Sequence, residues 1–82
     1  NTDIAAFPNP STGDVRLEFG RTVRGEVVVH DVRGREVRRL PVASDRATWD
    51  GRDDAGDDLP AGVYLVHLDD RAEASVRVTL AR

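Results

Sequence analysis

The sequence predicts an all-β fold: an Ig-like antiparallel β-sandwich of about seven short strands. Three observations carry that expectation. Glycine or proline recurs at short spacing from Pro8 to Gly62 of the 82-residue chain, so no interval there is long enough for a stable amphipathic helix. Between these breakers lie runs in which apolar and polar residues alternate with a period of two, the mark of half-buried strands. The runs are short and joined by turn residues, at the spacing of a sandwich or barrel.

The elements follow in order. Residues 4–7 form a short apolar opening strand, closed by Pro8-Asn9-Pro10. Residues 14–19 alternate strictly, with Val15, Leu17 and Phe19 inward and the charges outward. Residues 26–32 are apolar on both faces, Val27 and Val29 on one and Val28, His30 and Val32 on the other, as a central strand should be. Arg33-Gly34 reads as a tight turn in which the glycine supplies positive φ. Residues 36–40 return with Val37 inward, Pro41 ends that strand, and residues 44–46 are a loop. Residues 47–49 are a short strand ending on the only tryptophan, Trp49. An aromatic buries about 150–250 Å², enough to fill much of a small core.

Residues 62–68 are the strongest strand, with Val63, Leu65 and His67 on one face and Tyr64, Val66 and Leu68 on the other. Asp69-Asp70-Arg71 turns the chain into residues 75–80, where Val76, Val78 and Leu80 point inward. The expected core is built on Val15, Leu17, Phe19, Val29, Trp49 and Leu65. Residues 1–82 are expected to be a single domain, since a chain of this length buries only about 60–65% of its unfolded surface and supports one small core.

Composition narrows the function. The net charge is −3 with the signs interspersed, which argues against a nucleic-acid partner. All twelve cations are arginine, which reads as a compositional habit of the genome. Without cysteine there is neither a disulfide nor a thiolate metal site. No apolar run is long enough for a membrane span, and the first residues lack the pattern of a signal peptide.

The stretch "WDGRDDAGDDLPAGVYLVHL" raises the question of metal binding. Its aspartates Asp50, Asp53, Asp54, Asp57 and Asp58 could offer oxygen ligands to Ca²⁺. The EF-hand register fails, because placing Gly56 at the sixth position puts Gly51 first and Ala55 fifth. The expectation is a solvated turn without cofactor, since Asp and Gly are turn formers. His30 and His67 lie in strands and read as half-buried packing residues, with no third ligand at a fixed spacing. Ser11, Ser44 and Ser75 lie in or beside turns, outside any nucleophile elbow, and no glycine-rich phosphate loop precedes a helix. The chain is therefore not expected to be an enzyme. Arg35, Arg38 and Arg39 read as the charged outer face of an edge strand.

Four segments in order carry a resemblance. "FPNPSTGDVRLEF" resembles the Pro-Asn-Pro opening and first alternating strand of C-terminal sorting domains of the type IX secretion system. "VVVHDVRGREVRRL" resembles that family's D-x-x-G-R-x-V hairpin, here Asp31, Gly34, Arg35 and Val37. "LPAGVYLVHL" resembles its P-A-G-V-Y strand, here Pro60 to Tyr64, and "SVRVTLAR" its last strand, ending on Arg82. "TWDGRDDAGDDLPAGVY" is also similar to the Ig-like domain of flagellar hook-capping proteins. His30 stands where a tyrosine often precedes the family aspartate, and arginine where the last strand usually carries lysine.

The resemblance implies a C-terminal sorting signal on a larger cargo protein, which is carried through the periplasm and across the outer membrane to the cell surface. The implied partners are secretion proteins at the outer membrane and a sortase-like peptidase. The recognition patch expected on this reading comprises Gly34, Arg35, Pro60, Ala61, Gly62 and Tyr64 with Val76, Val78, Leu80 and Arg82 of the last strand, whose edge could accept a partner strand. The sequence stops two residues after Leu80, as a terminal module would. The alternative is a structural or adhesive Ig-like spacer of a multidomain extracellular protein. A carbohydrate-binding platform would need exposed aromatics, and of Phe7, Phe19, Trp49 and Tyr64 at least Phe19 and Trp49 are expected inside.

Overall fold

The computed structural model describes residues 4–69 and 75–82 in full and the backbone of residues 71–74. Among them there is no helix; five strands form one antiparallel sheet: β1 (Ala5–Phe7), β2 (Val15–His30), β3 (Glu36–Trp49), β4 (Gly62–Leu68) and β5 (Arg71–Leu80). The order is β1-β2-β4-β5, with β3 also paired to β2. β2 is thus the central strand that its two apolar faces predicted: Val27, Val28 and Val29 are all buried.

Five strands replace the expected seven because two pairs of short strands are continuous. Residues 14–19 and 26–32 merge into β2, and residues 36–40 and 47–49 merge into β3. Pro41 does not end a strand. It pairs with Glu26, and because β3 neighbours only β2, the missing N–H can face the open side. Residues 44–46 are likewise strand, not loop. The long strands bend instead of breaking. Between the pairs Glu18↔Arg46 and Val23↔Ser44, β2 places residues 19–22 opposite the single residue Asp45. Gly20, at φ 75°, sits in that bulge. Here the sheet folds over on itself. β1, the first half of β2 and the end of β3 form one layer; the second half of β2, the start of β3, β4 and β5 form the other.

Alternation then fills the space between the layers. Val15, Leu17 and Phe19 face Val27, Val29, Val66, Val78 and Leu80 in one cluster. Trp49 is fully buried at its centre and meets Tyr64 edge-on, with ring centroids 5.6 Å apart. Its indole N–H donates to Arg52 O at 3.0 Å, so the buried ring keeps its polar atom satisfied. The Tyr64 hydroxyl donates to Pro60 O at 2.7 Å, a tyrosine corner that pins the approach to β4. Burial pushes this phenol above its ordinary pKa.

Leu65 is not a core residue: it is 45% exposed. The core face of β4 is Tyr64, Val66 and Leu68, so Leu65 lies on the outer face with Val63 and His67. Val32 lies beyond the end of β2, in a turn, and is 79% exposed. The turn expected at residues 69–71 includes Asp70, which lies outside the described residues.

Two sheet edges are sealed by side chains. Asn9 donates its amide to Arg77 O at 2.8 Å and accepts from Thr79 N at 2.9 Å, as a peptide group of a neighbouring strand would. Ser11 continues the seal, donating its N–H to Thr79 O and accepting from Ala81 N in a parallel bridge to Leu80. On β3, Asp54 does the same: its N–H donates to Val37 O at 3.0 Å and its Oδ1 accepts from Arg39 N at 3.1 Å. Unpaired strand edges invite aggregation, and both devices remove that hazard locally.

Candidate recognition groove

The D-x-x-G-R motif is a turn closed by its aspartate. Asp31 Oδ1 accepts from the N–H groups of Arg33 (2.9 Å) and Arg35 (3.0 Å), and Gly34 N donates to Asp31 O at 3.0 Å. Gly34 has φ 84°, a conformation that L side chains avoid. The Arg35 N–H bond, with lesser help from Arg33 and the Arg35 guanidinium, holds the Asp31 carboxyl below its ordinary value.

The acidic stretch repeats that turn. Asp53 Oδ1 accepts from Ala55 N at 3.0 Å and Asp57 N at 2.9 Å, Gly56 N donates to Asp53 O at 3.0 Å, and Gly56 has φ 89°. Its other aspartates also have local partners. Asp50 Oδ1 accepts from Arg52 N, Asp54 caps β3, and Asp58 pairs with Arg52 at 3.0 Å. Arg38, beneath the loop, donates to Asp53 O at 2.9 Å and lies 3.7 Å from Asp50 and 3.8 Å from Asp54. Among the described residues no three His, Cys, Asp or Glu side chains converge as metal ligands would. Through these bonds the candidate Ca²⁺ residues Asp50, Asp53, Asp54, Asp57 and Asp58 form a turn and an edge cover.

His30 and His67 meet across β2 and β4. Their rings are parallel within 8°, with His67 Nε2 and His30 Nδ1 3.2 Å apart. Beside them Arg39 joins Glu26, Glu36 and Asp69 at 2.8, 2.9 and 3.3 Å. That guanidinium holds Glu36 below its ordinary pKa, and the carboxylates raise that of Arg39. Arg39 therefore belongs to a charged outer face, while Arg38 is tied to the acidic loop.

Pairing of β2 with β4 sets His30 beside Leu65, so the turn that follows β2 lies next to the segment that leads into β4. The result is a groove of about 290 Å³ between the Asp31–Arg35 turn and Pro60, Ala61, Gly62 and Val63. Of the expected recognition residues, Gly34, Arg35, Pro60 and Ala61 are exposed at this end, and Gly62 is half-buried with φ 152°. Tyr64 is buried; its hydroxyl serves the corner at Pro60. Val78 and Leu80 are core residues and Val76 packs against the core, so these three offer no docking surface in the folded domain. Nor is the end of β5 open to an incoming strand, since Asn9 and Ser11 already occupy it. Arg82 turns away to donate to Gly51 O at 2.6 Å. The exposed apolar residues Val32, Val63 and Leu65 were missed by the sequence reading. The alternation of residues 62–68 placed Val63 and Leu65 on a common face, and that was the available signal.

The fold has counterparts among known proteins. A search of curated proteins finds no significant relative. Among solved structures, the chain is similar to part of PorZ, described as an essential bacterial surface component of the type-IX secretion system of Porphyromonas gingivalis, with TM-score 0.73 and 21% identity. The likeness covers 96% of this chain and 11% of that one, so the chain spans about a tenth of PorZ. The family model of the FlgD Ig-like domain matches residues 9–74, from the Asn9 edge cover into β5. With most of its length so matched, the chain belongs to the FlgD Ig-like domain family.

Proposed function

We propose that this domain is a non-catalytic sorting module, read by the type IX secretion machinery at the outer membrane and directing a larger protein to the cell surface. The observation that carries the reading is the groove: the two motifs most like those of sorting domains, far apart in sequence, come together there with Arg35, Pro60 and Ala61 exposed. A surface component of that secretion system contains a domain of the same fold, which supports the association. Binding, not catalysis, fits the serines as well. Ser11 Oγ donates to Asp14 O and accepts from Gly13 N, and Ser44 Oγ is tied in the same way to Arg46. The partners are secretion proteins and a sortase-like peptidase.

The test is a fusion of residues 1–82 to the C-terminus of a fluorescent protein in a host with the type IX apparatus. Surface fluorescence is the expected result. Retention in the periplasm, while a known sorting domain is exported, overturns the proposal. A second reading, favoured by the family assignment, is an Ig-like spacer that holds neighbouring domains apart. It predicts that deleting the domain from its parent protein leaves export unchanged.

A further inference from the structure

We infer that the groove and the adjoining outer face of β4 dock a polypeptide segment that carries carboxylates between apolar side chains. This rests on the recognition reading above and adds the chemistry of the partner. Among the described residues, three of the four exposed large hydrophobic side chains, Val32, Val63 and Leu65, gather here. Val32 and Val63 stand between two hollows: the groove of about 290 Å³ and a second of about 360 Å³ that extends to Leu65. Each is the size of a few side chains. The turn does not need an apolar residue at Val32, because its twin at residues 53–57 has Asp54 at the same position.

Charge identifies the occupant. The first hollow is flanked by Arg33 and Arg35 and the second by Arg77. Among the residues whose side chains are described, neither Arg33 nor Arg77 has a carboxylate within ion-pair distance. Arg35 lies 3.3 Å from Asp31 yet keeps 74% of its side chain exposed. Asp31 itself is held by two backbone N–H groups of its turn. On a chain of net charge −3, this is a local reversal of sign. Guanidinium forks match carboxylates in two-point contacts, and complementary charge steers encounter and fixes register. An anionic lipid surface would satisfy the arginines too, but two side-chain-sized apolar hollows between them suit a polypeptide.

The decisive experiment is an NMR titration of the isotope-labelled 82-residue chain. The probes are a heptapeptide of alternating Glu and Val, its Lys/Val counterpart, and phosphatidylglycerol vesicles. The inference expects the acidic peptide alone to shift the amides of residues 32–35 and 63–65, with the effect lost in Arg33→Glu/Arg77→Glu. The rest of that variant's spectrum should be unchanged. No shift with the acidic peptide at millimolar concentration, an equal response to the basic peptide, or tighter binding to vesicles overturns it. Export is scored separately: a domain that binds the acidic peptide but fails to export its fusion sinks the sorting proposal and leaves the docking surface standing.

Discussion

Replacing Asn9 with alanine tests whether the opening segment seals the sheet. The wild-type amide spans Arg77 O and Thr79 N at 2.8 and 2.9 Å. In Asn9→Ala both β5 groups turn to water, and only the Ser11 bridge ties the segment to the strand. A protein hydrogen bond contributes about 0.5–1.5 kcal/mol net, and at an exposed site the lower end applies, so the two together are worth about 1 kcal/mol. For a domain of this size about 1 kcal/mol moves Tm by roughly 4–8 °C. Calorimetry should show that fall, and hydrogen exchange should show the Thr79 amide losing protection while the β2–β4 ladder keeps its own. An unchanged Tm with Thr79 still protected would refute the surrogate-strand reasoning.

Other consequences are as direct. Trp49→Ala empties the centre of the core and should cost about 3–5 kcal/mol. The whole stability of 82 residues is only about 4–12 kcal/mol, so the variant should melt far lower or fail to fold by circular dichroism. Tyr64→Phe keeps the ring against Trp49 but loses the bond to Pro60 O, for a loss of about 0.5–1.5 kcal/mol in denaturant midpoint analysis. Gly51→Ala forces a side chain onto φ 74°, with its Cβ 3.2 Å from Gly13 O and in collision with the Arg82 guanidinium, and should cost about 1–3 kcal/mol by thermal melting. Asp31 and Glu36 are both held below their ordinary values, so the stability they give is complete above the ordinary carboxylate range and is lost as pH falls through the depressed values. Melting temperature should therefore drop on acidification, and less steeply in Asp31→Asn.

The parts of this molecule that obey local rules were legible in the sequence. Val15, Leu17 and Phe19 alternate and are buried, Trp49 is central, and the Asp-Gly chemistry of residues 50–58 makes a turn. Strand count was not legible, because Pro41 stops a strand only where its N–H is needed, and on β3 it is not. Leu65 was misplaced because alternation says which residues share a face, not which face is inside; the layer that covers Tyr64 comes from Trp49 on another strand. The same limit hid the burial of Tyr64, whereas Val78 and Leu80 are buried as their alternation predicted, which removes them from the recognition patch. Arg35, Pro60, Ala61 and Gly62 of the groove could be named one by one, but their meeting depends on the His30↔Leu65 register, which no local pattern encodes.

Asn9 and Asp54 bear on how this protein lives among its own copies. Where many identical domains lie side by side, a bare β border would knit neighbours into ribbons. Here an amide and a carboxylate from the same chain stand where a neighbour's backbone would have to go. Crowding can raise the local concentration of the domain without joining its sheets along those borders.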